Sequence, residues 1–199
     1  MALCAGPARA AQTIREALAK GADRAIHIEE ENLNAFDTLG VAKLLAGAVK
    51  PESPDLILTG LQSDDLGYGQ TGVVLAELLG IPHSTIIMQV EVLNSKIRVK
   101  RELEDGWFQH IEMPLPAVLT IQSGINKLRY ATLMGIKKAK TKEIKRLTLA
   151  ELGAAAAATA TIEKVYLPQK SKQTQILEGD AKAAAAKLVE KLKFEVRVL

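Results

Sequence analysis

The residues with the most chemical potential lie between positions 58 and 72. Gly60, Gly67 and Gly69 punctuate this stretch, and Asp64 and Asp65 supply carboxylates. Gln62, Ser63, Gln70 and Thr71 supply amide and hydroxyl groups. Glycines let a ligand approach the backbone closely, and the N–H groups that open a helix have no intrahelical acceptor. The combination suits an anion, above all the phosphate of a nucleotide. The same pattern also serves as an ordinary strand-to-helix turn, and glycine-rich loops are common, so spacing alone leaves both readings open.

Two elements must hold such a loop. The apolar run Leu56, Ile57, Leu58 predicts a short buried strand before it. Residues 70–79 predict a helix after it, closed by Gly80 and Pro82. Upstream, Pro7 suits the first turn of a helix over residues 8–20, with Ile14, Ala17 and Leu18 on one face. Residues 24–29 predict a strand in which His27 lies between two isoleucines, as a structural or surface histidine. Asp37 is placed to cap a helix over residues 38–50. Helix, strand, helix, strand, helix argues for βαβ units and a parallel sheet.

After Pro82 the pattern changes. Residues 85–93, 96–101 and 107–113 predict an antiparallel meander with one wet face, turning at Asn94-Ser95 and at residues 104–106. Trp107 is expected to pack. Residues 117–121 predict another buried strand, and residues 162–167 a short strand-like segment. Residues 127–146 are basic, with Lys127, Arg129, Lys137, Lys138, Lys140, Lys142, Lys145 and Arg146 against Glu143 alone. Leu128, Tyr130, Leu133, Met134 and Ile136 are interleaved. A solvated helix face has this pattern, and so does a docking surface with apolar anchors inside a positive rim. No nucleic-acid motif accompanies it. An alanine run at 154–158, a polar arm at 169–175 and a helix over 180–193 complete the chain.

With 199 residues and 48% hydrophobic content, one domain with an apolar core is expected, with room for an appendage. A net charge of +3 does not point to nucleic acid. The single cysteine, Cys4, excludes an internal disulfide framework and fits a reducing compartment. Residues 1–5 are too short and uncharged for a signal peptide, and no run nears the roughly 18 apolar residues of a membrane span. A soluble cytoplasmic protein without membrane insertion is the expectation. No phosphate-loop lysine motif, zinc-protease motif, nucleophile elbow or CxxC pair is present. A nucleotide site without a catalytic set implies binding without chemistry of its own.

Four segments in order carry a resemblance. They are Gly6-Pro7 with residues 13–24; the loop ending in Gln70-Thr71-Gly72; residues 99–106 with 116–120; and residues 129–133 with the lysines that follow. Together the chain resembles the beta subunits of electron transfer flavoproteins. The resemblance implies a parallel-sheet, adenine nucleotide alpha hydrolase-like α/β domain over residues 1–148, with an antiparallel hairpin extension. Residues 149–199 would form a C-terminal arm and helix. It implies a heterodimer with an alpha subunit that holds most of the FAD, with AMP on the beta subunit. Electrons would pass from acyl-CoA or other dehydrogenases to a quinone reductase. By position, Ala5, Gly60, Gln62, Ser63, Asp64, Asp65, Gly67, Gly69, Gln70 and Thr71 would bind the nucleotide. Arg129, Tyr130, Leu133, Met134, Lys137 and Lys138 would form the docking segment, with Leu133 as its anchor.

Two departures from the family pattern stand out. Gly69, after Tyr68, replaces the usual Asn before Gln-Thr. Thr71-Gly72-Val73 stands where electron-bifurcating members have Val-Gly-Pro, which favours AMP over a second FAD. Family members also carry a strand, a helix and most of a second strand before the segment matching Ala5. That first strand is central and contacts adenosine. Without it, the strand at 56–59 would lack a neighbour and expose an unpaired edge. An incomplete family domain with poor nucleotide affinity is the expectation. An electron-bifurcating form and a stand-alone adenine-nucleotide-binding regulatory module are the alternatives.

Overall fold

Alternation of apolar strands with amphipathic helices fixes the order of elements. The computed structural model describes residues 1–152, 158–168 and 174–198. These divide into two compact units, Met1–Thr161 and Ile162–Leu199. The first unit therefore runs past the sequence-expected boundary after residue 148.

In the first unit, β1 (Ala2–Gly6) leads through a short 3-10 turn into α1 (Ala11–Ala19). Strand β2 (Ala25–Glu29), α2 (Thr38–Val49), β3 (Leu56–Gly60) and α3 (Thr71–Leu79) follow. Next come β4 (His83–Leu93), β5 (Lys96–Glu102), β6 (Phe108–Pro114) and β7 (Ala117–Ile121). The unit's regular structure ends with α4 (Leu133–Ala139) and β8 (Ile144–Leu147). The basic run at 127–146 is thus divided between a short helix and a strand.

The strands form two sheets. One has the order β1-β2-β8, all parallel. The other has the order β3-β7-β4-β5-β6, parallel up to the start of β4 and antiparallel beyond it. The change of direction is local to β4. Its register shifts between Ser84 and Ile87, where Ile86 has φ +58°, an unusual angle for a β-branched residue. Ile87 still pairs with Ile121 of β7 as well as with Arg101 of β5, and beyond it β4 leaves β7 for the hairpin, as the meander pattern predicted. Among the described residues β1 pairs only with β2, and β3 only with β7. The strand at Leu56–Gly60 therefore has a neighbour on one side and an open edge on the other.

Burial follows from the layers. On β2, Ile26 and Ile28 pack with Leu44 and Ala48 of α2, while Ala25 packs with Ile14 and Leu18 of α1. Both faces are covered, so four of its five residues are buried, His27 among them. A third cluster joins Ile87, Ile97, Val99, Met113, Ala117 and Leu119 beneath the hairpin. Trp107 departs from its expected packing role: it is 72% exposed at the turn before β6. The antiparallel extension offers no second layer there to cover it.

In the second unit, Asp180 caps α5 (Ala181–Lys191), which continues as a π-helical turn over Leu192–Val196. Residues 162–167, expected to be strand-like, have no regular structure. Of the alanine run and polar arm, residues 154–157 and 169–173 lie outside the described residues. No described helix is long and apolar enough to cross a membrane.

Candidate functional site

The loop between β3 and α3 begins where the backbone leaves a parallel sheet at its carboxyl edge. In open α/β sheets that edge is where ligands bind. Gly67 and Gly69 both adopt left-handed backbone, at φ +67° and +61°, and fold the chain back over the side chain of Gln62. The amide of Gly67 donates to the Ser63 carbonyl at 3.1 Å, closing the loop on itself.

At the end of the loop α3 starts without a side-chain cap from Gln70. Among the described residues, the amides of Gln70, Thr71, Gly72 and Val73 have no protein acceptor. These are the orphan donors of a helix start, aligned with the positive end of its dipole. Gly72 lets this start sit directly on the sheet: a Cβ there would collide with Thr59 Oγ1 and Thr120 Cγ2.

A cavity of about 390 Å³ opens beside this helix start. From the loop it is lined by Gly60, Leu61, Gln62, Ser63, Leu66, Tyr68, Gly69, Gln70 and Thr71. From the start of α2 it is lined by Phe36, Asp37, Thr38 and Val41. The cavity brings together Gly60, Gln62, Ser63, Gly69, Gln70 and Thr71 of the sequence-predicted set. It leaves out Ala5, Asp64, Asp65 and Gly67. Asp65 is turned toward its own loop. It accepts from the Ser63 hydroxyl and from the Leu66 amide, at 2.7 Å for the latter, and these bonds hold its carboxyl below the usual range. Ala5 packs beside the Ile26–Leu44 cluster on β1.

The α2 contribution was missed from sequence. Asp37 was read only as a cap, and it is one: Oδ1 accepts from the Gly40 amide at 2.8 Å. A cap also marks a helix start after a parallel strand, and that signal alone would have put α2 on the same edge as α3. Asp37 has a further role that its position does not reveal. Its Oδ2 accepts from the Thr159 hydroxyl, the Thr159 amide at 2.7 Å and the Ala160 amide at 3.0 Å. The Thr159 hydroxyl bond, then the Gly40 and Thr159 amides, lower its pKa to about 2. This clamp, with Leu149 and Leu152 packed on the Ile26–Leu44 cluster, ties residues beyond 148 to the compact unit.

His27 is fully buried, as a structural histidine. Its Nε2–H donates to the Gly6 carbonyl at 3.0 Å, and the Glu30 amide donates to the same oxygen at 3.1 Å. The Gly6–Pro7 peptide, one residue beyond Ala5, is therefore held from two directions. Among the described residues no cluster of three or more His, Cys, Asp or Glu could hold a metal ion.

The docking candidates lie elsewhere. Arg129, Tyr130, Leu133, Met134, Lys137 and Lys138 are all exposed. Thr132 caps α4 by accepting from the Gly135 amide at 3.0 Å, so Leu133 and Met134 open the helix at 87% and 62% exposure. Lys137 and Lys138 sit in the last turn, where cations suit the helix dipole. Neither forms an ion pair among the described residues.

The electron transfer flavoprotein domain matches residues 1–152. A curated relative, electron transfer flavoprotein subunit beta of Methylophilus methylotrophus, is 39% identical over 193 residues, covering 93% of this chain and 73% of its own. The mitochondrial subunit beta of Oryza sativa subsp. japonica is 38% identical over 100% of this chain and 77% of its own. Subunit beta of Bos taurus is 42% identical over 77% of this chain and 60% of its own. The chain therefore belongs to the electron transfer flavoprotein family, among its beta subunits.

Proposed function

We propose that this chain is the nucleotide-holding and docking half of an electron carrier. It pairs with an alpha subunit that carries FAD, and the flavin supplies the redox chemistry. The residues of this chain bind, orient and dock, and none acts as an acid, base or nucleophile. The amides opening α3, with the Gln70 and Thr71 side chains, hold the phosphate of AMP. Gly60, Gln62, Ser63 and Gly69 shape its cradle. Asp64, Asp65 and Gly67 form the loop behind it, and Ala5 adds a backbone contact from the end of β1.

The observation that carries this reading is the cavity at the starts of α2 and α3, with α3 donors unengaged by protein. Its volume of about 390 Å³ lies at the small end of ligand pockets, roughly 300–1,000 Å³, and supports a mononucleotide over a second FAD. The contacts come from the loop, the start of α3 and the end of β1, and among the described residues β1 and β3 are each paired on one side alone. Affinity of the isolated chain for AMP is accordingly weak, and tight binding in equilibrium dialysis would contradict this.

Arg129, Tyr130, Leu133, Met134, Lys137 and Lys138 form the docking edge for an acyl-CoA or other dehydrogenase. Apolar anchors within a positive rim supply both grip and steering. The electrons then pass to a quinone reductase.

Purification of the chain with a co-expressed alpha-type flavoprotein, followed by nucleotide extraction, tests the reading. One FAD and one AMP per complex are expected, and Thr71→Val lowers AMP recovery without changing the flavin spectrum. Two FAD with no AMP would favour the electron-bifurcating form. Failure to capture any alpha-type flavoprotein would favour a stand-alone nucleotide-binding module.

A further inference from the structure

Helix α4 is too short to hold itself. It has seven residues, against the roughly 12–15 at which isolated helices become even marginally stable. Burial does little for it, because Ala139 is its one buried residue. A single buried methyl is worth only about 0.8 kcal/mol. Yet the helix is formed, and it displays Leu133 and Met134 to solvent.

Polar contacts with α1 supply what burial lacks, and they are reciprocal. Arg15, on α1, donates from Nη1 to the Ala139 carbonyl at 2.6 Å and the Lys142 carbonyl at 2.7 Å, at the C-terminal end of α4. Lys142, just beyond α4, donates from Nζ to the Leu18 carbonyl at 3.1 Å and the Ala22 carbonyl at 2.6 Å, at the C-terminal end of α1. Each helix end thus receives its cation from the other's segment. Cations are favourable at helix C-termini, and charge-assisted bonds are the stronger kind. At the opposite end of α4, Gly135 meets α1 so closely that a Cβ would lie 2.5 Å from the Ala19 carbonyl oxygen. Lys142 therefore differs from Lys137 and Lys138: it is half-buried and engaged, a strut within the basic run.

We infer that Arg15 and Lys142 are positioning residues for the docking edge, holding α4 pre-formed on α1 so that Leu133 and Met134 meet a partner without prior ordering. This rests on the docking reading above. Pre-organisation raises affinity by removing the cost of ordering at the moment of binding. It acts on encounter and grip, and leaves electron transfer within the bound complex alone.

The test uses the complete complex with its alpha subunit and an acyl-CoA dehydrogenase reduced by its substrate. Arg15→Met and Lys142→Met are each expected to raise the apparent KM for the dehydrogenase about threefold to tenfold, with kcat within about twofold of wild type. Amide exchange over residues 133–139 speeds up in both variants, and Arg15→Lys, which keeps a donor, restores most of the protection. The flavin spectrum and circular dichroism verify folding in the same samples. Leu133→Ala is the parallel control and raises KM with wild-type exchange at α4. If Leu133→Ala raises KM while Arg15→Met and Lys142→Met change neither KM nor exchange, the positioning role is overturned and the docking reading stands. If Leu133→Ala leaves KM unchanged, the docking reading falls, and the positioning role with it.

Discussion

Helices α3 and α4 begin in the same way and serve opposite ends. Each has a glycine in its first turn that permits contact with a neighbouring element, Gly72 against Thr59 and Thr120, Gly135 against Ala19. The difference lies in what happens to the donors. At α4 the Thr132 hydroxyl accepts from the Gly135 amide, so the start is capped from within. At α3 Gln70 provides no such bond, and Gln70 and Thr71 line a cavity. A capped start has one of its N–H groups engaged from within, and an uncapped start beside a cavity leaves its N–H groups available. Packing separates them too: α3 buries Gly72, Leu75 and Ala76 against its surroundings, whereas α4 buries Ala139 alone. The first is held by the core and leaves its polar groups free. The second is held by polar groups and leaves its apolar residues free.

Substitutions at the two starts break this contrast most directly. Gly72→Ala should have the largest effect, destabilising the fold by about 1–3 kcal/mol, because the added methyl meets Thr59 and Thr120 in a packed layer. Urea unfolding reads it, and an unchanged midpoint would show that α3 shifts freely on the sheet. Thr132→Ala should cost about 1 kcal/mol as a lost cap. Its effect stays local: exchange over residues 133–139 accelerates about fivefold, while AMP retention in the complex is unaffected. Loss of AMP in that variant would mean that the two helices are coupled.

The smallest effect is a titration at the rim of the cavity. Asp37 has its pKa lowered from an ordinary 3.8 to about 2 by the Thr159 and Gly40 bonds. A carboxyl whose pKa is lower folded than unfolded stabilises the fold above the unfolded value and ceases to do so as pH falls through the folded one. The clamp on Thr159 and Ala160 is therefore intact at neutral pH, its contribution to stability is lost between about pH 4 and pH 2, and its bonds are released near pH 2. Thr159 and Ala160 amide resonances should titrate near pH 2. A midpoint near 4 would mean that the clamp is absent in solution.

Local chemistry was legible wherever it repeats or punctuates. Asp37 and Gly80 mark helix ends where they were expected, Gly80 at φ +66°. The alternation over residues 96–101 became β5, and the apolar run at 117–121 became β7. The loop reading placed Gly60, Gln62, Ser63, Gly69, Gln70 and Thr71 together because they are adjacent in the chain. Trp107 was misread for the reason that exposes the limit: residue type predicts burial only where a second layer exists to bury it.

By itself the amino-acid order determined the βαβ succession, the glycine-rich bend before α3 and the interleaving of apolar residues with cations over 127–146, because each is written within a few turns of chain. Tertiary structure alone decided which cations are struts and which are free, since Arg15 and Lys142 find their carbonyls more than a hundred residues away. It also decided that Asp37 holds Thr159, and that two helix starts share one cavity. Periodicity encodes which face of an element is apolar. The partner of a polar group depends on where distant segments come to rest, and the repeating pattern carries no record of that.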